Sequence, residues 1–259
     1  VAHSFPTRRS SDLVLLGASV GWAGPVQAPR AQVLVPDASV TARRLVASLP
    51  PLGRPGERPD FQWFRSASDP KDLAWLVDAD GLLVVRVRKV GESLQMVRYW
   101  DFAAVAPSEP LDGTTRRAVH PVLYPAGRDR WAMAVLTHHS ASYSGGSAAW
   151  TWATFHELMD LGAPTGVPEG GLELLHREIP FHCEKSIRAC FDEGGVCQET
   201  WSGILRLRYG KPDPFGTYPW SAAWEETHSP GKRSARREVE RFAIDLDDPP
   251  ASQCTEPMD

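Results

Sequence analysis

Long apolar runs are missing from this 259-residue chain. No stretch approaches the roughly 20 apolar residues of a membrane-spanning helix, so no membrane span is expected. Cysteine is scarce. Three of its four copies, Cys183, Cys190 and Cys197, crowd into one stretch, and Cys254 lies in the tail. Their spacing lacks the tight Cys-x-x-Cys pairs of structural zinc sites. The chain contains no phosphate loop, no dinucleotide fingerprint and no His-Glu-x-x-His; His156-Glu157 continues Leu158-Met159-Asp160 without a second histidine. No cofactor and no metal are therefore expected. Charge is also unremarkable in sign: 28 Lys and Arg against 32 Asp and Glu leave −4. Such a surface has no general attraction for nucleic acid or anionic lipid, and no nucleic-acid partner is expected.

What is abundant is tryptophan, with ten copies, together with 23 prolines and 21 glycines. Many turns favour short strands over long helices, and ten indoles give a core large flat pieces whose N–H groups need partners. The expected fold is mainly β: an antiparallel sandwich or partly closed barrel of roughly nine to eleven strands with one short N-terminal helix. No repeat of fixed period points to a propeller or solenoid.

Residues 1–13 read as non-native. His3 to Leu13, HSFPTRRSSDL, is the peptide obtained by translating a common short-read sequencing adapter. Residues 14–31 follow as a signal-peptide remnant, apolar and rich in small residues before Pro, Arg and Gln. A secreted or periplasmic location is the expectation. Removal of residues 1–28 takes Arg8, Arg9 and Asp12, a net +1, so the formal charge of −4 becomes −5. Residues 32–246 are expected to form one β-rich domain, and residues 247–259 an acidic, Pro-rich tail.

Asp37 is placed to cap a short helix with Ala42, Leu45, Val46 and Leu49 on one face, stopped by Pro50-Pro51. From Phe61 the period becomes two, and FQWF, DLAWLV, LLVVRVRKV and SLQMVRYWDF read as strands of a meander. Alternation puts Leu83, Val85 and Val87 on one face and Arg86 and Arg88 on the other, as for a sheet with one wet side. Asp78-Ala79-Asp80-Gly81 reads as a turn, since the glutamate that a calcium loop requires six residues beyond the glycine is replaced by Val87. Further on, RWAMAVLTHHS and AAWTWATFHELM flank SYSGGS as a hairpin. The expected pairing sets Trp150, Trp152, Thr154 and His156 against Ala132, Ala134, Leu136 and His138.

Candidate sites are few. Cys190–Cys197 and Cys183–Cys254 are the expected disulfides among three possible connectivities. His138, a candidate binding residue, and His139 are neighbours on a strand and so face opposite ways. Ser144-Gly145-Gly146-Ser147 fails the nucleophile-elbow pattern, and Ser144 is kept as the rim of a pocket. The carboxylate pairs Glu225-Glu226 and Glu157 with Asp160 have no evident catalytic separation. Trp220 and Trp224 are the candidate binding tryptophans. Lys232, Arg233, Arg236, Arg237 and Arg241 read as a solvated basic face interleaved with Glu238 and Glu240. The favoured reading is a non-catalytic binding or scaffolding module of the cell envelope whose partner is a glycan or an envelope protein. The alternative is a secreted hydrolase acting on glycan or peptidoglycan, with exposed Trp220 and Trp224 stacking on sugar.

Overall fold

The computed structural model describes residues 29–37, 59–105, 114–160, 169–188, 198–230 and 235–244. The expected N-terminal helix, the adapter-like and signal-like residues, the acidic tail and Cys190, Cys197 and Cys254 lie outside these. The fold is almost entirely antiparallel β in two sheets, the larger curled into a half-barrel. The smaller sheet runs in the order β2-β3-β4-β5-β6, comprising Val35–Pro36, Gln62–Arg65, Leu73–Asp78, Leu83–Val90 and Ser93–Asp101. The larger begins with β1 (Gln32–Val33) beside β7 (Thr115–Gly127), β8 (Arg130–Tyr143) and β9 (Gly146–Met159). It continues through β10 (Gly171–Arg188), β11 (Gln198–Tyr209), β12 (Trp220–Pro230) and β13 (Arg236–Ala243).

Two of these thirteen strands have only two residues, which is why the alternation of the sequence reveals fewer. They matter nonetheless. β1 pairs with β7 and β2 with β3, so residues 32–36 step from one sheet to the other. Leu34 at the step is 1% exposed and donates its N–H to the Pro121 carbonyl at 3.0 Å.

The meander forms as the alternating residues require, but the face expected to be wet is so only toward Arg88, its other end being covered by the large sheet. Leu76, Val85 and Val87 pack with Phe61, Trp63 and Leu94 on one side. On the other, Phe64, Trp75, Val77, Val84 and Trp100 pack against Val119, Leu123, Met133 and Val135 of the large sheet. Trp75 and Trp100 stack at 5.8 Å. Arg86 escapes burial of a bare charge by lying over the Trp75 ring at 5.2 Å and bonding Asp69 at 2.7 Å. Of the two arginines of the alternation, Arg86 is thus a cation over an aromatic, while Arg88 is half-exposed and pairs with Asp72 at 3.2 Å. Asp78 closes the expected turn, accepting from the N–H of Gly81 at 2.9 Å and of Asp60 at 3.1 Å.

The β8–β9 hairpin is displaced by one residue from the expected pairing. Tyr143 opposes Gly146, leaving a two-residue turn, and Ala134 faces Phe155 while Leu136 faces Ala153 and His138 faces Thr151. Because side chains alternate with period two, that single step moves Trp150, Trp152 and His156 to the opposite face from the alanines. Small against large survives, with Phe155 in place of tryptophan.

β10 is longer than expected: the segment read as a loop around Cys183 continues the strand to Arg188. Pro180 has no ladder donor, and the pairing with β9 slips on both sides of it. Glu178 takes φ 50°, the left-handed region, in the same irregular stretch. On β11 the expected face of Trp201, Leu205, Leu207 and Tyr209 does pack into the core of the half-barrel.

The lower end of the half-barrel folds back on itself. Tyr218 donates its N–H to Ala126 and Arg128 to Gly216, and Gly127 bridges Thr217, so the β11–β12 loop is seated on the end of β7.

Candidate functional site

Register brings three residues of the half-barrel into one row. His138 on β8 lies opposite Thr151 on β9, and Thr151 opposite His182 on β10. The His138 Nδ1 and Thr151 Oγ1 are 2.9 Å apart. Burial lowers the His138 pKa, helped by Arg116, His182 and His139. His120, on β7, lies 2.7 Å from the Tyr124 hydroxyl through Nδ1 and meets Phe181 edge-on at 5.2 Å. Its pKa falls to about 4, first through burial and then through the charge of His138. At neutral pH the His120 ring is uncharged, able to accept or donate a hydrogen bond. Among the described residues no group of three or more His, Cys, Asp or Glu is arranged to hold a metal.

His139 and His156 stand apart. His139 stacks on Trp150 at 5.6 Å with Nδ1 3.1 Å from the Thr115 hydroxyl. His156 is 4% exposed against Phe102, and burial lowers it to about 4, with Arg177 adding to the shift.

The two candidate tryptophans separate. Trp224 is 2% exposed, its Nε1–H donating to Glu226 Oε2 at 3.1 Å, so it offers no face to a ligand. The expectation of an exposed Trp224 is thus corrected: β12 turns this face toward the core. Gly203 makes room for it: a Cβ there would run into the Trp224 ring and come within 2.7 Å of Cys183 Sγ. Trp220 is half-buried in an aromatic cage of Phe155 at 5.1 Å, His176 at 4.9 Å, Tyr209 at 5.3 Å and Tyr124 at 6.0 Å, its Nε1–H donating to the Pro125 carbonyl at 2.9 Å. Burial pushes the Tyr209 and Tyr124 hydroxyls far up, so both stay protonated.

Three of the four carboxylates in the pairs considered are held by arginines. Asp160 pairs with Arg98 at 3.1 Å, and Glu157 with Arg130 at 3.3 Å. Glu225 binds Arg206 at 3.3 Å and Arg237 at 3.0 Å, the hydrogen bond from Arg206 being the larger cause of its lowered pKa. Glu157 is the unusual acid. It is 3% exposed, burial raises its pKa against the opposing pull of Arg130, and Glu173 faces it across β9 and β10.

A trough of about 430 Å³ crosses β8, β9, β10 and β11 beside the hairpin tip. Ala141, Ala148, Lys185 and Trp201 form one cross-strand row of its lining, and Ser140, Ser142, Ser147, Ala149, Glu184, Ser186, Thr200 and Ser202 contribute from the alternate positions on either side. Ser144 sits at the exposed tip and is not part of the lining. Trp201 is held rigidly, stacked on His228 at 4.5 Å and 6° with the Lys185 ammonium 5.8 Å from its ring centre.

The chain matches no family model, no curated protein and no solved structure. What the site can do rests on its own geometry. Sequence reasoning missed the trough because its floor is made of Ala and Ser, residues that carry no chemical signature; the signal was the small-residue run on both sides of Gly145-Gly146. Cys183 is the one cysteine among the described residues, and it is not a free thiol. Each expected disulfide includes a cysteine outside them.

Proposed function

We propose that this protein is a non-catalytic binding or scaffolding module of the cell envelope, secreted or periplasmic, that takes its ligand in the trough across β8–β11. The observation that carries this reading is a concavity built on four paired strands, lined by small residues with Lys185, Glu184 and an indole stacked on His228. Sites on strands are positioned more tightly than sites on loops, and serine hydroxyls both donate and accept. That chemistry suits a polyhydroxylated ligand, a glycan strand before an apolar molecule. The expected disulfides Cys190–Cys197 and Cys183–Cys254 belong to the same proposal. Intact mass after thiol alkylation, with and without reductant, tests them: no labelled thiol before reduction is expected, and four would refute both bridges.

Binding of soluble peptidoglycan fragments and chitin oligosaccharides, followed by the indole N–H resonance of Trp201, tests the ligand. A saturable shift that Ala148→Trp abolishes supports the trough. Saturable binding that leaves the Trp201 signal unmoved places the ligand elsewhere and overturns this assignment.

The hydrolase alternative retains one favourable observation, the buried Glu157 with its raised pKa facing Glu173. A carboxyl group whose pKa burial raises is shifted in the direction a general acid needs. Release of reducing ends from peptidoglycan that Glu157→Gln abolishes would establish it in place of the binding module.

A further inference from the structure

Cys183 is fully buried in the core of the half-barrel and is not a free thiol, and the chain's other three cysteines all lie outside the described residues. Register limits which of them can pair with it. Cys183 to Arg188 are matched without interruption to Gly203 to Gln198. At about 3.3 Å per residue, Arg188 and Gln198 lie about 16 Å along the ladder from Cys183. Cys190, two residues past Arg188, can return by at most about 7 Å, and Cys197, one residue before Gln198, by about 4 Å. Both stay beyond the roughly 7 Å between Cα atoms that a disulfide allows. Only Cys254 escapes that limit, and Cys190 and Cys197 are left to each other at the two sides of their loop.

The two ends of the segment that leads to Cys254 fix its path. Ile244, just past β13, is 5% exposed in the same core cluster as Cys183, so the chain leaves β13 on the concave side. Ala243 lies opposite Ser221, Ser221 opposite Arg208, and Gly203 opposite Cys183. These registers set Ile244 and Cys183 about 24 Å apart, about 14 Å across the strands and about 20 Å along them. The ten residues from Ile244 to Cys254 reach at most about 33 Å. That is enough for a direct diagonal and too little to pass round β13 and the convex side. We propose that residues 245–254 form a strap across the concave face of the half-barrel, tethered by Cys183–Cys254, and that the half-buried Leu207, Tyr209 and Trp220 are the surface it covers. The composition of the strap suits that surface. Pro249-Pro250 hold an extended backbone with no N–H to satisfy, the form in which proline-rich segments dock on aromatic-lined grooves, and Leu246 adds an apolar side chain. The aromatic face is then an interface within the chain and not a site open to a second molecule. This rests on the Cys183–Cys254 bridge of the proposed function and is independent of the trough and its ligand.

Tryptic mapping of the full chain without reductant tests the bridge, and hydroxyl-radical footprinting tests the strap. Mapping should link residues 178–185 to 242–259, with Cys190 and Cys197 joined inside 189–206. Footprinting should label Tyr209 and Trp220 several-fold less in the wild type than in a chain ending at Asp248 or in the double variant Cys183→Ala with Cys254→Ala. Trp75, 2% exposed in the core between the sheets, is the reference that reports loss of the fold. Should both of those chains unfold, Pro249→Gly with Pro250→Gly decides the matter: it keeps every cysteine, and should raise labelling of Tyr209 and Trp220 while the linked peptides and Trp75 stay unchanged. Linkage of 178–185 to 189–206 overturns the bridge and the strap together. The expected linkage with Tyr209 and Trp220 labelled equally in wild type and variants overturns the strap alone.

Discussion

His156 and Gly203 show how one residue is bound to its surroundings. His156 is buried with an Nδ1 that has no hydrogen-bond partner, and its folded pKa of about 4 lies below the ordinary value. A depressed histidine favours folding fully above its unfolded pKa and loses that contribution as pH falls through the folded value. The window therefore runs from about 6.5 down to about 4. The loss amounts to about 3 kcal/mol at most. Urea midpoints between pH 7.5 and 4 should fall accordingly, and His156→Leu should flatten that part of the curve. Glu157 works in the opposite sense: its raised pKa gives stability that is present below the unfolded value and lost as pH rises through the folded one. Glu157→Gln should consequently leave stability at neutral pH unchanged or higher. Gly203→Ala, by contrast, forces a methyl against Trp224 and Cys183 and should cost about 1–3 kcal/mol, measured by chemical denaturation.

At the scale of single strands, the sequence was most informative where apolar residues alternate without interruption. LLVVRVRKV and TWSGILRLRY became β5 and β11 with the expected inward faces. Where the pattern depended on a turn it failed, since whether the β8–β9 connection holds two residues or three is not encoded in alternation. That one residue decided whether Trp150 or Phe155 faces the alanines. β10 was underread for a related reason: Pro180 breaks the donor ladder, yet a bulge accommodates it in mid-sheet. Beyond the small-residue run around Gly145-Gly146, the trough leaves no mark in the sequence, because it arises from four strands whose order is a property of the whole sheet. Inserting one glycine between Ser144 and Gly145 tests how firmly the turn sets the register. Shifting β9 by a residue would expose Phe155, so the insertion should loop out locally, leaving the near-ultraviolet tryptophan spectrum unchanged and stability lowered by no more than about 1 kcal/mol.

For the molecule as a whole, the cluster between the sheets draws on both of them. Phe102, fully buried there, packs with Trp100 and Val84 of the small sheet and with Met133 of the large one. Phe102→Ala should cost about 3–5 kcal/mol. Neither sheet retains its inner face without the other, so thermal unfolding of the wild type should be a single calorimetric transition. Two resolved transitions would mean that the large sheet holds its half-barrel alone.

Residues 32–36 give that coupling a mechanical meaning. Force applied through residue 29 reaches β7 of one sheet and β3 of the other through a step of five residues, with Leu34 as the pivot between them. Each contact is only two residues long, so under load this clasp should yield first. An optical-trap trace would then show a small early extension followed by one large rip, the sheets staying joined until their shared core gives way.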